Sequence, residues 1–333
     1  MEEQQQGNPR LTRGLVVSCV VALLIYAGMV AWADTEGVQE SLKRLQPTRL
    51  FAALGLVLLG YILRFARWEL YRKCVGVELA RGPSVLIFLS GLALTVSPGK
   101  LGEAFKCVLL KEETGAPVSH TAPIVLAERL TDLLSLLVLV AIANLSQHAE
   151  HTWILWVTLL GCMGLLGLIG CPPLTRLGLR LLRNVGPIAR LAPKAENALA
   201  SSRQLLSPRL LTLAVILGVG AWGLECLAAW SIAVSLGLPE LAFSQVMAAF
   251  SLSLIVGALA LFAPGGLGVT EGLYTGQLER LLTSHGGAEA MARAGAASAT
   301  LVTRLVTLWF AVLMGLIALG LHRRRRRLQQ RRS

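Results

Sequence analysis

Two short stretches decide the fold: Ser97-Pro98-Gly99-Lys100-Leu101-Gly102-Glu103 and Ala263-Pro264-Gly265-Gly266-Leu267-Gly268, with Glu271 close behind the second. Each closes an apolar block, 83–97 in the first case and 241–263 in the second. Proline removes a backbone donor and glycine permits turns that other residues resist, so a helix stops at such a pair. Each stretch is followed by an apolar segment that carries an arginine and then a leucine. These are Arg129-Leu130-Thr131-Asp132 and Arg304-Leu305-Val306-Thr307. One Pro-Gly pair means little in a membrane loop. Two of them, each with a matching Arg-Leu downstream, read as an internal repeat.

The surrounding composition says where these breaks lie. Of 333 residues, 54% are hydrophobic and only 15% charged, against about 25% charged in a soluble domain. The apolar residues fall in blocks of about 20, the helix length that crosses ~30 Å of hydrocarbon. A soluble enzyme, a disulfide scaffold, a disordered chain and a nucleic-acid module are excluded. The formal charge of +12 therefore reports orientation.

Apolar windows predict spans at 14–32, 50–64, 122–145, 152–171, 209–236 and 295–321. The block 83–97 covers only about 22 Å as a helix, too short to cross. If it and 241–263 each open a hairpin that returns to its own side, one face collects most of the 31 Lys and Arg residues. If they cross singly, the basic segment 176–209 falls outside, against the positive-inside rule. The expected architecture is thus all-α: six transmembrane helices plus two re-entrant helical hairpins in an inverted repeat. Repeat 1 covers about 50–145 and repeat 2 about 209–321, in a single integral membrane domain of the cytoplasmic membrane. A cytoplasmic linker at about 172–208 separates them, and a basic tail, 322–333, ends the chain, with both termini cytoplasmic. The N-terminal block is read as a retained span, not a signal peptide.

Paired broken helices mark a binding site at the bilayer midplane. Freed backbone groups cannot face lipid, so they line a cavity, and a restarting helix aims amides at anions. Charges at this depth cost about 2.5–3.5 kcal/mol each and need a reason. The set is Lys100, Lys106, Arg129 and Arg304 against Glu103, Glu128, Asp132, Glu225 and Glu271. Arg129 and Asp132 share a helix face; Glu225 has no partner within its own helix. Structural ion pairing is one reading of these charges. The other is a phosphate held by guanidinium groups, which match it in bidentate fashion, with Glu103 and Glu271 facing a cationic group or a coupling proton. The candidate substrate-binding residues are Gly99, Lys100, Gly102, Glu103, Arg129, Asp132, Glu225, Gly265, Gly266, Gly268, Glu271 and Arg304. At the surface, Leu174, Leu177, Leu181 and Val185 beside Arg176, Arg180 and Arg183 form an amphipathic helix. The arginine tail suits either topology or anionic lipid.

Other signals fail. Gly218-Val219-Gly220-Ala221-Trp222-Gly223 matches a dinucleotide fingerprint as a string but lacks its strand, and reads as a close-packing face. Gly161, Gly164, Gly167 and Gly170 read the same way. The pair His148 and His151 around Glu150 is too sparse for a metal, and the six cysteines show no paired spacing. No cofactor or metal is expected.

Taken together, Ser97–Ala104, Glu128–Asp132 and Ala263–Glu271 resemble the lysylphosphatidylglycerol synthase transmembrane region, the flippase-like family of prokaryotic membrane proteins. The resemblance covers roughly 14–321. It implies movement between leaflets of a phospholipid or polyprenyl-phosphate-linked lipid. Members that synthesise lysyl-lipid carry an added aminoacyl-transfer domain; none is expected after Ser333, so the enzyme name is not carried over. The alternatives are a membrane-embedded transferase on a lipid-linked substrate, or an accessory subunit of an envelope pathway. Expected partners are membrane lipids with an anionic or phosphate headgroup, and a second copy or a lipid-synthesis enzyme, but no nucleic acid.

Overall fold

The structure, a computed structural model, describes residues 9–96, 101–144, 152–170, 202–238, 240–260 and 263–330. Among them the regular elements are all helical. In chain order they are α1 (Pro9–Trp32), α2 (Thr35–Lys43), α3 (Pro47–Cys74), α4 (Arg81–Leu92), α5 (Leu101–Thr114), α6 (Val118–Asn144) and α7 (Thr152–Gly170). The second part supplies α8 (Pro208–Ser235), α9 (Phe243–Leu259), α10 (Val269–Ser284), α11 (Glu289–Arg304) and α12 (Phe310–Gln330). A π-helical turn, Leu305–Trp309, joins α11 to α12 in one helix of 42 residues.

Three helices are long and apolar enough to cross a membrane: α3, α8 and Glu289–Gln330. A fourth candidate is the end of α1 taken with α2, bent between them by 98°. This is a multi-pass helical membrane protein. α6 has comparable length, 27 residues, but carries Glu128, Arg129 and Asp132 in its middle. α4 and α9 have 12 and 17 residues, or about 18 and 25 Å of helix. Both fall below a full span, although the apolar block 241–263 alone is long enough to cross.

The centre of the fold is the pair α3 and α8. Each has 28 residues and opens with proline at its first turn, where the missing donor costs nothing. They run antiparallel. Arg44, just before α3, lies against Gly237, just after α8, while Gly218 near the start of α8 lies by Arg67 near the end of α3. They come closest where a Cβ on Gly60 would stand 3.3 Å from the Ala221 carbonyl oxygen. Gly60 and Ala221 are each the fourteenth residue of their helix.

Around this pair the two parts of the chain interlock. α4 packs along α12 and α9 along α6, while α5 packs on α6 and α10 on α11. The α4–α12 contact is tight, because a Cβ on Gly315 would sit 2.1 Å from the Ala93 nitrogen. At the second break, Pro264–Gly266 makes a 3-10 turn with Gly265 at φ 61°. Its Cβ position lies 3.0 Å from Val96, so this turn meets the end of the first apolar arm.

Several expectations change. Span 50–64 stops at the first arginine, but α3 continues to Cys74. No apolar window marks α2; Asp34 caps it by accepting from the Gly37 amide, and Val38 buries its apolar side. Gly218, Gly220 and Gly223 do form a packing face, against Ser135, Leu63 and Leu139. Gly161, Gly164 and Gly167 do not: a Cβ there meets nothing within 4 Å among the described residues. In the tail, Arg325 pairs with Glu113 at 3.1 Å and Arg326 with Glu112, so these two arginines are engaged by α5. The amphipathic segment 174–185, the 148–151 loop and Gly170's neighbours beyond 170 lie outside the described residues.

Gly315→Ala forces backbone against backbone and is expected to destabilise the protein by about 1–3 kcal/mol, the usual cost of overpacking. Gly320→Ala, on the same helix with nothing within 4 Å, is expected to be neutral or stabilising. Thermal unfolding in detergent compares the two.

Candidate functional site

A cavity of about 540 Å³ opens beside the α3–α8 crossing, walled by α3, α4, α5, α6, α8, α9, the second Pro-Gly turn and the α11–α12 helix. Its size suits a ligand-binding pocket. Much of the wall is apolar, including Leu92, Leu133, Leu136, Leu254 and Leu308. Set into it are Arg64, Arg67, Lys106, Arg129 and Arg304, with Glu128, Asp132 and Glu225.

These charges are paired across helices. Arg64 meets Glu225 at 2.6 Å, and Arg67 meets Asp132 at 2.7 Å. Asp132 also takes Arg129 at 2.8 Å and the Trp222 indole N–H at 3.2 Å. Lys106 reaches Glu128 at 2.5 Å, with its ammonium 5.0 Å from the centre of the Trp68 ring. Gly91 makes this reach possible, since a Cβ there would strike the Lys106 side chain at 2.4 Å. Arg304 donates to Glu271 at 2.5 Å. Burial makes such pairs necessary: an unpaired charge in this setting is costly.

The pairing is not complete on the cationic side. Arg64 Nη2, Arg67 Nε and Arg304 Nη2 are buried and lack a hydrogen-bond acceptor. Counting Glu271 behind the wall, five cations stand against four carboxylates among the described residues. The described charges of the cavity region therefore sum to one positive charge. Arg64 is also stacked on Trp222, with the guanidinium carbon 4.2 Å from the ring centre. On the opposite helix the matching contact comes from Tyr61, whose hydroxyl donates to the Thr307 carbonyl in the π-helical turn at 3.3 Å. π-Helical turns are often found at functional sites.

The candidate residues sort clearly. Arg129, Asp132, Glu225, Gly265 and Arg304 line the cavity. Glu271 does not face it. One oxygen accepts from the Gly268 amide at 2.7 Å, closing the first turn of α10, and the other holds Arg304. The amides of that restart are therefore partly satisfied from within the helix. Gly266 and Gly268, at φ 75° and 84°, shape the turn behind the cavity. Gly99 and Lys100 lie outside the described residues, and Gly102 and Glu103 are described only as backbone in the first turn of α5.

The sequence reading missed Arg64 and Arg67, assigning both to a cytoplasmic segment. It also found no partner for Glu225. The reason is α3's continuation: Tyr61, Arg64 and Arg67 recur at about one helical turn and reach Thr307, Glu225 and Asp132 in turn. That spacing was the available signal.

Fold and site together define a multi-pass helical membrane protein with a charged central cavity. The chain belongs to the family described as lysylphosphatidylglycerol synthase TM region, whose family model matches residues 19–315, and its role is accordingly tied to membrane lipid. A search of curated proteins finds no match to it.

Asp132 holds two arginines and an indole, and Asp132→Ala leaves the buried Arg67 without its carboxylate. The expected loss is about 3–5 kcal/mol, as for breaking a buried ion pair. Trp222→Phe removes one donor and is expected to cost about 1 kcal/mol. Unfolding midpoints in detergent measure the difference.

Proposed function

We propose that this protein moves a phosphate-bearing lipid between the leaflets of the cytoplasmic membrane, with the headgroup held in the central cavity. The observation that carries this reading is the cationic lining of the cavity: Arg64, Arg67, Lys106, Arg129 and Arg304 stand in an otherwise largely apolar wall. Guanidinium groups suit a phosphate in geometry and charge, and the apolar wall suits the adjoining lipid.

The proposed architecture is six spans and two re-entrant hairpins, α4–α5 and α9–α10, related as an inverted repeat. Supporting it are α3 and α8, equal in length and antiparallel, which touch through residues at the same position in each helix. Tyr61 and Trp222 are both fifteenth in their helices, and each donates into the equivalent of the other's target: Thr307 follows Arg304 by three residues, as Asp132 follows Arg129. The α4–α12 and α9–α6 packing obeys the same relation. An antiparallel pair places the two-fold axis across the helices, hence in the membrane plane. Rocking of one repeat against the other then exposes the cavity to either side.

Transport is favoured over group transfer because each cavity carboxylate with a described side chain is engaged by a cation, which leaves none placed as a general base. Arg129→Ala and Arg304→Ala are each expected to abolish movement of a fluorescent phosphatidylglycerol in proteoliposomes, while Arg326→Ala, at the far end of α12, retains it. Full activity in both cavity variants contradicts the proposal.

A further inference from the structure

The Arg64–Glu225 pair differs from the other cavity pairs in where it sits. Arg64 and Glu225 are each the eighteenth residue of their helices, so they meet at equivalent positions of α3 and α8. Theirs is the ion pair that joins these two helices among the described residues. It lies at the cavity wall, its side chains 14% and 6% exposed.

The two partners are not equally supported. Arg64 is held a second time by the face of Trp222 at 4.2 Å, and its Nη2 is a buried donor with no acceptor. It stays in place, with a donor to offer, if the carboxylate lets go. Asp132 has three donors and Glu271 two. Glu225 has one described donor, Arg64.

An anion bound at Arg64 competes with Glu225 for the same guanidinium. The displaced carboxylate is then buried beside a second negative charge, without a donor of its own. The nearby cations each already hold a carboxylate. From α3 it faces Arg64 and Tyr61, and from α11 Arg304, already bound to Glu271; on α6, Arg129 and Asp132 of the same cavity wall hold each other. α9 contributes no titratable side chain, and on α8 itself Cys226 turns to Ser251. Burial of an unpaired carboxylate favours its neutral form.

We infer that Glu225 is a proton-binding site linked to phosphate binding at Arg64: as the anion takes the guanidinium, the Glu225 carboxylate takes up one proton from water. An O–H bond forms on Glu225, the Arg64–Glu225 ion pair opens, and no electrons are exchanged. This rests on the anion reading of the cavity and adds the coupling ion. Because proton uptake accompanies binding, anion affinity falls as pH rises, by up to tenfold per unit.

The test is calorimetric titration of the purified full-length protein in an uncharged detergent, in two buffers of different ionisation enthalpy. The probes are dihexanoylphosphatidylglycerol and dimethyl phosphate, neither of which titrates near neutrality. Wild type is expected to take up about one proton per bound probe above neutral pH. Glu225→Gln is expected to bind with no uptake and a flat pH profile. Arg64→Gln, which removes the guanidinium that carboxylate and anion share, is expected to bind the probes more weakly and to lose the uptake as well. Uptake with both probes assigns the linkage to the phosphodiester itself, and with the lipid alone to the whole headgroup. Wild-type binding without proton uptake, or undiminished uptake in Glu225→Gln, overturns the inference while leaving the anion site standing. Failure of wild type to bind either probe overturns the anion site and the inference with it.

Discussion

An ion pair buried at the crossing of two apolar helices is the constraint on which the rest of this structure turns. Arg64 and Glu225, 2.6 Å apart, satisfy each other while no anion is bound, because a buried charge left alone is costly. That fixes the register of α3 against α8, and the small residues beside them, Gly60 and Ala221, allow the backbones to approach. With these helices locked antiparallel, each part of the chain lays its short apolar arm on the long helix of the other. α4 lies on α12, and α9 lies on α6.

The same logic extends outward from the crossing. Asp132 collects Arg67, Arg129 and Trp222 from three helices, and Lys106 reaches over Gly91 to Glu128. Each contact is both a solution to burial and a tie between elements. Such ties are weak evidence for stability in themselves, since apolar packing often does as well. Their value here is that they hold five cations in the wall of one cavity.

Much of this was legible in the sequence, and the exceptions are instructive. Pro264 with its glycines announced the turn between α9 and α10, Pro98 lies outside the described residues, and Arg129 and Arg304 announced the charged centre. Arg64 and Arg67 were hidden because a hydropathy window ends at the first charge, whereas a helix does not. Glu225 could not be matched to Arg64 from spacing, because that match depends on how α8 docks on α3. Glu271 looked like a ligand group and proved to be a helix cap that also grips Arg304. α2 escaped because it is short and mostly polar, so no apolar window marks it, although Val38 and Leu42 stand four residues apart on one side.

The central claim is that the Arg64–Glu225 pair is a coupled unit at the crossing and not two independent charges. A double-mutant cycle on thermal unfolding, with Arg64→Leu, Glu225→Leu and the double replacement, measures this directly. The account predicts that each single variant is strongly destabilised by the charge it strands, and that the double variant recovers by about 2 kcal/mol or more over the sum of the singles. Additive losses in the double variant would contradict it.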